Sequence, residues 1–486
     1  MAHGAYSRRG FLTATGAALS AGAVAAGTGR AVAQGSSRPP ADLLAGTAGA
    51  SAPKNLVAAD LEVPTATDTS VAFSWTTYDL SGRLLPADTE LFLGPADSTA
   101  PLPLVHAEDT PTPWHHVRVD GLEPGREYRF EARSGGVRAV GSHVVTNLSG
   151  SPEQTGVVRT LAPPPGKLIR TIAVANDIHV GEQKSGIMFA DFPPGAEQEP
   201  GLPPYSDVML TGLLEDVRAA GITELFCNGD LTSEAKPEEV ARVRELLDGF
   251  GEKGRNWWAT RGNHDRPHGG AEYVSCAPYG DTHFDCWGQA FEPRQTMWST
   301  EIGGLRVVGL DSTHLDNSGG AIDPEQFERL DAVLDESRDR PTLSMCHHPV
   351  TRDAQRSNMA GPWFVLDDPD AMRLQQALAD TPGSFLHMGG HTHRTRRGAA
   401  DVLPAGGRAP TEYLEAGVTV SYPGNYTRIS LYTGGYMVNL HQIATPLALR
   451  WIERSRRTYF GFAPEYLLGT FGDRNHVVAR DFSGLS

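Results

Sequence analysis

Between residues 55 and 160 the apolar positions come in short runs of strand period, at 56–63, 70–77, 90–93, 116–119 and 128–133, with Phe73 and Trp75 on one face of the second run. The turn cluster Asp120-Gly121-Leu122-Glu123-Pro124-Gly125 divides the last two. At 161–167 the prolines Pro163, Pro164 and Pro165 favour extended backbone and break the pattern. Beyond them continuous apolar strands alternate with helical periods. Strands are predicted at 168–176, 224–227, 257–259, 343–346 and 385–388, and helices at 205–220, 238–250, 324–338 and 371–379. This alternation predicts α/β layers over a domain spanning 168–443. The runs 296–308, 418–422, 427–433 and 436–441 predict a second sheet. Residues 444–486 form a C-terminal extension, with a basic helix-like stretch at Trp451–Arg457 and an aromatic tail, to which no chemistry is assigned.

Composition narrows the picture. A chain of 486 residues has material for about three domains and a large core. The formal net charge of −16 disfavours general nucleic-acid binding, because such a surface repels phosphate backbones. The apolar run 11–26 is too short and too small-residued for a permanent membrane span. Its flank Ser7-Arg8-Arg9-Gly10-Phe11-Leu12 and the following Ala31-Val32-Ala33 resemble a twin-arginine signal peptide over 1–33, followed by a linker at 34–54. That resemblance implies the twin-arginine export machinery as a partner and a secreted or cell-wall location. In the β-rich domain, Trp75 on an early strand and Tyr128 after the Gly-Leu-x-Pro-Gly turn resemble a fibronectin type III sandwich, a non-catalytic module in which His115, His116 and His143 are structural.

The candidate chemistry lies at strand ends. Asn176-Asp177-Ile178-His179, Asn228-Gly229-Asp230, Gly262-Asn263-His264-Asp265, His347-His348-Pro349 and Gly390-His391-Thr392-His393 each follow an apolar strand, in that order. In layered α/β folds the carboxyl ends of strands converge on one crevice, so five distant blocks can build one site. Single blocks are weak evidence; the ordered set is specific.

These blocks resemble the calcineurin-like metallophosphoesterase superfamily over residues 168–441. The resemblance implies a four-layer α/β/β/α sandwich, here preceded by the all-β fibronectin type III-like sandwich, with two metal ions at the edge of its sheets. It implies that Asp177, His179 and His393 hold one ion, Asn263, His347 and His391 the other, that Asp230 bridges them, and that His264 is catalytic with Asp265 orienting it. Two divalent ions ~3.5–4 Å apart clamp the attacking and leaving oxygens of a phosphate ester and acidify a bridging water, the attacking hydroxide. Mixed imidazole and oxygen donors suit Zn, Fe or Mn over Ca or Mg. The chain lacks the Asp-x-Gly and Gly-Asp-x-x-Tyr of purple acid phosphatases and the Gly-Asp-x-Val-Asp-Arg-Gly of protein Ser/Thr phosphatases. It is more similar to the branch holding cyclic-nucleotide and glycerol phosphodiesterases. The expectation is an exported hydrolase of small phosphate esters, diesters before monoesters; alternatives are a phosphomonoesterase, a phospholipid-headgroup hydrolase using Tyr459, Phe460 and Phe462, or a non-catalytic wall-binding protein.

His348 and Arg261 are candidates to face substrate, as are the loop histidines His268, His283 and His314. Cys227 and Cys346 sit in apolar strands and read as structural. Cys276 and Cys286 flank a loop where an exported protein can keep a disulfide, and with Tyr279, Phe284 and Trp287 this insertion is the candidate wall of the pocket.

Overall fold

The computed structural model describes residues 55–141, 150–186, 195–291, 297–315, 317–458 and 463–485. The predicted signal and its linker, His143, Tyr459, Phe460 and Phe462 lie outside the described residues.

The N-terminal domain is a two-sheet β-sandwich. Its strands are β1 (Leu56–Ala66), β2 (Ser70–Asp79), β3 (Ala87–Pro95), β4 (Leu104–Thr112), β5 (Trp114–Asp120), β6 (Glu127–Ser134), β7 (Val137–Arg138) and β8 (Val157–Arg159). One sheet runs β1-β2-β5 and the other β4-β3-β6-β7, with β8 also paired to β6. Alternate residues of β6 are buried, and Phe73, Trp75, Leu91, Val117 and Phe130 fill the space between the sheets. The sequence pattern gives no sign of β4, because that strand is an exposed edge with no buried side chain to impose a period.

The second domain contains β9 (Leu168–Ala175), α1 (Tyr205–Ala219), β10 (Leu225–Asn228), α2 (Pro237–Phe250), β11 (Trp257–Thr260), β12 (Met297–Ile302), β13 (Leu305–Leu310), α3 (Pro324–Asp335), β14 (Thr342–Cys346), α4 (Asp368–Asp380), β15 (Ser384–Gly389), β16 (Thr395–Gly398), β17 (Glu412–Ala416), β18 (Asn425–Tyr432), β19 (Gly435–Gln442), α5 (Pro446–Ser455) and β20 (Asn475–Ala479). Two six-stranded sheets face each other, ordered β11-β10-β9-β18-β19-β20 and β12-β13-β14-β15-β17-β16. The two-residue period of β9 sends Ile172 and Val174 into the space between the sheets, where they meet Val307, Leu343 and Met388. It sends Ala173 and Ala175 to the opposite face, under α1, α2 and α5. Helices α3 and α4 cover the second sheet through Phe327, Leu330, Leu374 and Leu378. The result is α/β/β/α layering, with both sheets buried on both faces.

Three sequence expectations are corrected. The strands predicted at 427–433 and 436–441 extend the first sheet beside β9, whereas β14 and β15 belong to the second with the 297–310 hairpin. Residues 418–422 are not a strand: Thr419 and Val420 donate to the carbonyls of Asn176 and Asp177, beneath the candidate site, and so have no ladder to join. The extension at 444–486 is not an appendage. Its β20 is the sixth strand of the first sheet, and Phe482 and Leu485 lie in the core between the sheets.

The extension also ties the domains together. Arg456, the residue after α5, pairs with buried Glu62 of β1, which accepts from Tyr422 Oη at 2.6 Å, and Tyr78 Oη donates to Glu453 of α5 at 2.6 Å. Beside them Asn475 and Asn439 bond both polar groups of the Ala66 peptide, at 3.0 and 2.6 Å. Such buried groups hold a unique docking geometry because separation strands each of them.

Glu412 on β17 offers a test of how β20 is held. Burial works against its charge, but His476 of β20, Arg397 and Tyr436 outweigh burial and bring its pKa from the ordinary 4.5 to about 2. A carboxyl depressed on folding contributes stability that is complete above the unfolded pKa and is lost as pH falls toward the folded one. Between pH 4.5 and 2 the parent is therefore expected to lose roughly 3 kcal/mol that Glu412→Gln does not lose. Urea unfolding across that range checks this; equal slopes for the two proteins would refute it.

Candidate metal centre

Every expected ligand sits just beyond the C-terminal end of a strand: Asp177 and His179 after β9, Asp230 after β10, Asn263 after β11, His347 after β14, and His391 and His393 after β15. Asn228 aligns the two sheets at this edge, donating to the carbonyls of Cys346 and Met388 and accepting from Thr260 Oγ1 at 2.9 Å. Five of the seven ligands, Asp177, His179, Asp230, His391 and His393, have φ between 48° and 66°. Left-handed backbone costs an ordinary residue about 1–3 kcal/mol, a strain that collects at functional sites. Here it turns each side chain back across the sheet edge. The glycines leave room for this: a Cβ on Gly229 would sit 2.4 Å from His347 Nδ1, and one on Gly262 would sit 2.1 Å from the Asp230 amide nitrogen.

The donors meet in overlapping groups whose atoms lie within 4.8 Å of one another: Asp177, His179 and His393; His179, Asp230 and His264; Asp230, His347 and His391. Asp230 is central. Its Oδ2 lies 3.1 Å from His347 Nε2 and 3.6 Å from His179 Nε2, while its Oδ1 accepts the His264 amide at 2.8 Å. Asn263 Oδ1 is 3.2 Å from His347 Nε2, and His393 Nε2 is 3.4 Å from Asp177 Oδ1. The first and third groups thus bring Asp177, His179 and His393 together on one side and Asp230, His347 and His391 on the other, with Asn263 beside His347.

The donor set fits a pair of cations. Nε2 of His179 and Nε2 of His391 are buried without a hydrogen-bond partner, an arrangement that costs free energy unless an ion takes the lone pair. Burial holds both imidazoles well below their ordinary range, so each presents a neutral nitrogen. His347 and His393 shift upward although burial opposes it, His347 to about 9, because Asp230 and Asp177 demand positive charge there. A metal ion supplies that charge directly.

His264 is half-buried at the rim, its ring 4.8 Å from that of His179. The expectation that Asp265 orients it is corrected. The His264 Nδ1 bonds to the Ser233 carbonyl at 2.6 Å. Asp265, fully buried, instead accepts from the amides of Leu231, Thr232 and Gly262 and from Thr232 Oγ1, locking the Asp230 loop to the Asn263 turn. Burial and the nearby Asp230 carboxylate raise its pKa to about 6.

Both expected substrate contacts are also corrected. His348 is fully buried and spends its ring on Ser312 Oγ at 2.8 Å and the Ser318 carbonyl at 3.2 Å. Arg261 turns away from the ligands, pairs with Asp285 at 2.8 Å and lies over the Trp287 ring. It thereby anchors the insertion closed by the Cys276–Cys286 disulfide, which the structure contains as expected. That insertion reaches the site through His268, whose backbone pairs with Phe284 in both directions and whose Nε2 lies 3.3 Å from the His264 carbonyl. Tyr279 is exposed on it, His283 half-buried, and His314 exposed on a separate short hairpin. Cys227 and Cys346 are buried free thiols.

Sequence reading missed three contributors. Ser233 acts through its carbonyl, which carries no residue-type signal. Phe364 stacks on His391 with ring centroids 3.8 Å apart, from a loop 27 positions upstream. Glu182 stands 3.9 Å from His179 Nδ1, and an acid three residues beyond the Asp-x-His block was the available clue.

Two buried sheets thus carry cation donors that converge at their shared edge. Residues 170–395 match the family model described as calcineurin-like phosphoesterase. Among curated proteins the chain is similar to a probable cyclic nucleotide phosphodiesterase from Synechococcus sp., 30% identical over 171 residues, which are 35% of this chain and 57% of that protein. The chain thus matches little more than half the length of that relative. Among solved structures, a purple acid phosphatase from yellow lupin seeds aligns over 88% of this chain and 74% of its own, at 13% identity and a TM-score of 0.42. A dimetal phosphatase from Danio rerio aligns over 57% of this chain and 98% of its own, at 12% identity and the same TM-score.

Proposed function

We propose that the protein is an exported, dinuclear phosphodiesterase acting on small phosphate esters. The observation that carries this reading is the meeting of seven donors from five strand ends around Asp230, with His264 at their rim. Asp177, His179 and His393 would hold one ion and Asn263, His347 and His391 the other, with Asp230 shared. When bound, the ions supply Lewis acidity toward the phosphoryl oxygens and an activated water. Ser233 fixes the ring of His264 through Nδ1, so Nε2 is the nitrogen free to hydrogen-bond a phosphoryl oxygen and, in the protonated form, to pass a proton to the departing alkoxide. Asp265 keeps the loops bearing Asp230 and Asn263 in register and is a positioning residue.

The preference for diesters rests on charge. Arg261 is committed to Asp285, and Arg394, next to His393, is committed to Glu415 at 2.7 Å and to the Ser357 carbonyl. Neither of these buried arginines is available to clamp the second charge of a monoester. The Synechococcus relative, a probable cyclic nucleotide phosphodiesterase, points the same way. The N-terminal sandwich, with its three-strand and five-strand sheets, fits a fibronectin type III-like module in Tyr128, whose Oη accepts the Glu123 amide at 2.9 Å. Export by the twin-arginine route, proposed from the Ser7-Arg8-Arg9-Gly10-Phe11-Leu12 flank, suits a chain that loads metal while folding.

A hydrolysis panel on metal-reconstituted protein tests the reading, with bis-aryl diesters, aryl monoesters, cyclic nucleotides, glycerophosphodiesters and lipids. Diesters are expected to lead in kcat/KM. Matched aryl monoesters faster by about tenfold, or roughly 1.4 kcal/mol the other way, would move the function to phosphomonoesterase.

A further inference from the structure

The C-terminal helix α5 is connected to the first ligand block by two routes that start from one side chain. Trp451 of α5 donates from Nε1 to the Val420 carbonyl at 2.7 Å, and the Val420 amide donates to the Asp177 carbonyl at 3.0 Å. On its face the same indole stacks against Tyr205 of α1, with centroids 3.7 Å apart and planes 10° apart. Tyr205 Oη donates to Glu182 Oε1 at 2.7 Å, and Glu182 Oε2 faces His179 Nδ1 at 3.9 Å. A turn closed by the Glu182 amide on the His179 carbonyl at 3.0 Å brings the carboxylate back over the ring. Trp451 and Tyr205 are both buried, so the connection is shielded from solvent.

The chemistry gives this arrangement a role. His179 Nε2 is the nitrogen on the side of Asp177 and Asp230, so Nδ1 must carry the proton when Nε2 gives its lone pair to an ion. Nδ1 has no hydrogen-bond partner in the structure, and Glu182 is the acid that faces it. A carboxylate behind a ligating imidazole fixes its tautomer and orientation and raises its basicity, and removing such a partner typically costs 10–100-fold in metal affinity.

We infer that Glu182 is a positioning residue for His179, held by Tyr205, and that Trp451 makes the C-terminal helix a buttress of the Asp177/His179/His393 half-site. The extension is then part of the metal centre's support as well as a domain fastener.

This inference rests on the two-ion reading, so parent and variants are titrated together with a metal-binding competitor and their ion content is measured after dialysis. Glu182→Gln, which keeps size and the Tyr205 contact, is expected to weaken one of the two ions by about tenfold or more while the other binds as in the parent. Glu182→Asp is expected to recover part of the loss, and Tyr205→Phe and Trp451→Phe to weaken the same ion by smaller factors, with far-ultraviolet circular dichroism unchanged. In the cobalt-loaded protein the visible band of that half-site is expected to shift in Glu182→Gln. A parent that binds two ions and a Glu182→Gln protein that binds both equally well, with an unchanged cobalt spectrum, would overturn the positioning role alone. A parent that takes up no ions would overturn this inference and the dinuclear reading together.

Discussion

Replacing Asp230 by Asn is expected to empty the site and abolish turnover while leaving the chain folded. Asp230 is 1% exposed and faces histidines of both proposed half-sites, His347 at 3.1 Å and His179 at 3.6 Å, so one carboxylate is placed to serve both proposed ions. A neutral amide withdraws the charge that holds two cations side by side. The fold has reasons to survive. The Asp230 main-chain carbonyl accepts the amides of Ile178 and His179 at 2.8 and 2.9 Å, and Asn retains an Oδ1 for the His264 amide. Elemental analysis should give two ions in the parent and fewer than one in Asp230→Asn, with kcat lower by about 10⁴-fold or more, roughly 5.5 kcal/mol. Asn263→Ala, which removes a donor from one half-site only, should lose a single ion. Retention of both ions by Asp230→Asn would refute the bridging role.

His264→Ala should give the complementary result, full metal content with turnover reduced by about a thousandfold, within the 10²–10⁴ range of a general acid. The prediction follows from geometry: His264 belongs to the rim, its Nδ1 is spent on Ser233 at 2.6 Å, and Asp230 is held by His264's backbone rather than by its ring. Alanine therefore keeps the amide that bonds Asp230. The loss should grow with the pKa of the leaving group, because a poor leaving group depends most on the proton. Parallel dependence on leaving group in mutant and parent would leave His264 an electrostatic role only. Asp265→Asn probes a different function. Its Oδ1 accepts from Thr232 and its Oδ2 from Leu231 and Gly262, so that substitution should loosen the loops and weaken metal binding before it alters leaving-group dependence.

The amino-acid sequence by itself determined where the candidate donors lie along the chain, because strand periodicity and strand-end blocks are local properties. An apolar run followed by Asn-Asp-Ile-His or Gly-Asn-His-Asp can be recognised without knowing its neighbours, and the helices α1, α2, α3 and α4 showed their own periods. The Cys276–Cys286 bridge was legible for the same reason, a short loop between two cysteines. Which strands share a sheet was not, since a buried strand reads alike in either layer; β18 and β19 joined β9, and β14 and β15 joined the 297–310 hairpin, through pairings over long sequence separations. Side-chain direction was equally out of reach. Arg261, His348 and Asp265 sit inside or beside the recognised blocks, yet partners 24, 36 and 34 positions away, Asp285, Ser312 and Leu231, turn each of them from the cleft into the scaffold. Tertiary structure alone also joined Glu182 to Trp451, because a hydrogen bond and a ring stack through Tyr205 leave no trace in periodicity, and only the packing of α5 on α1 brings the end of the chain against its first metal block.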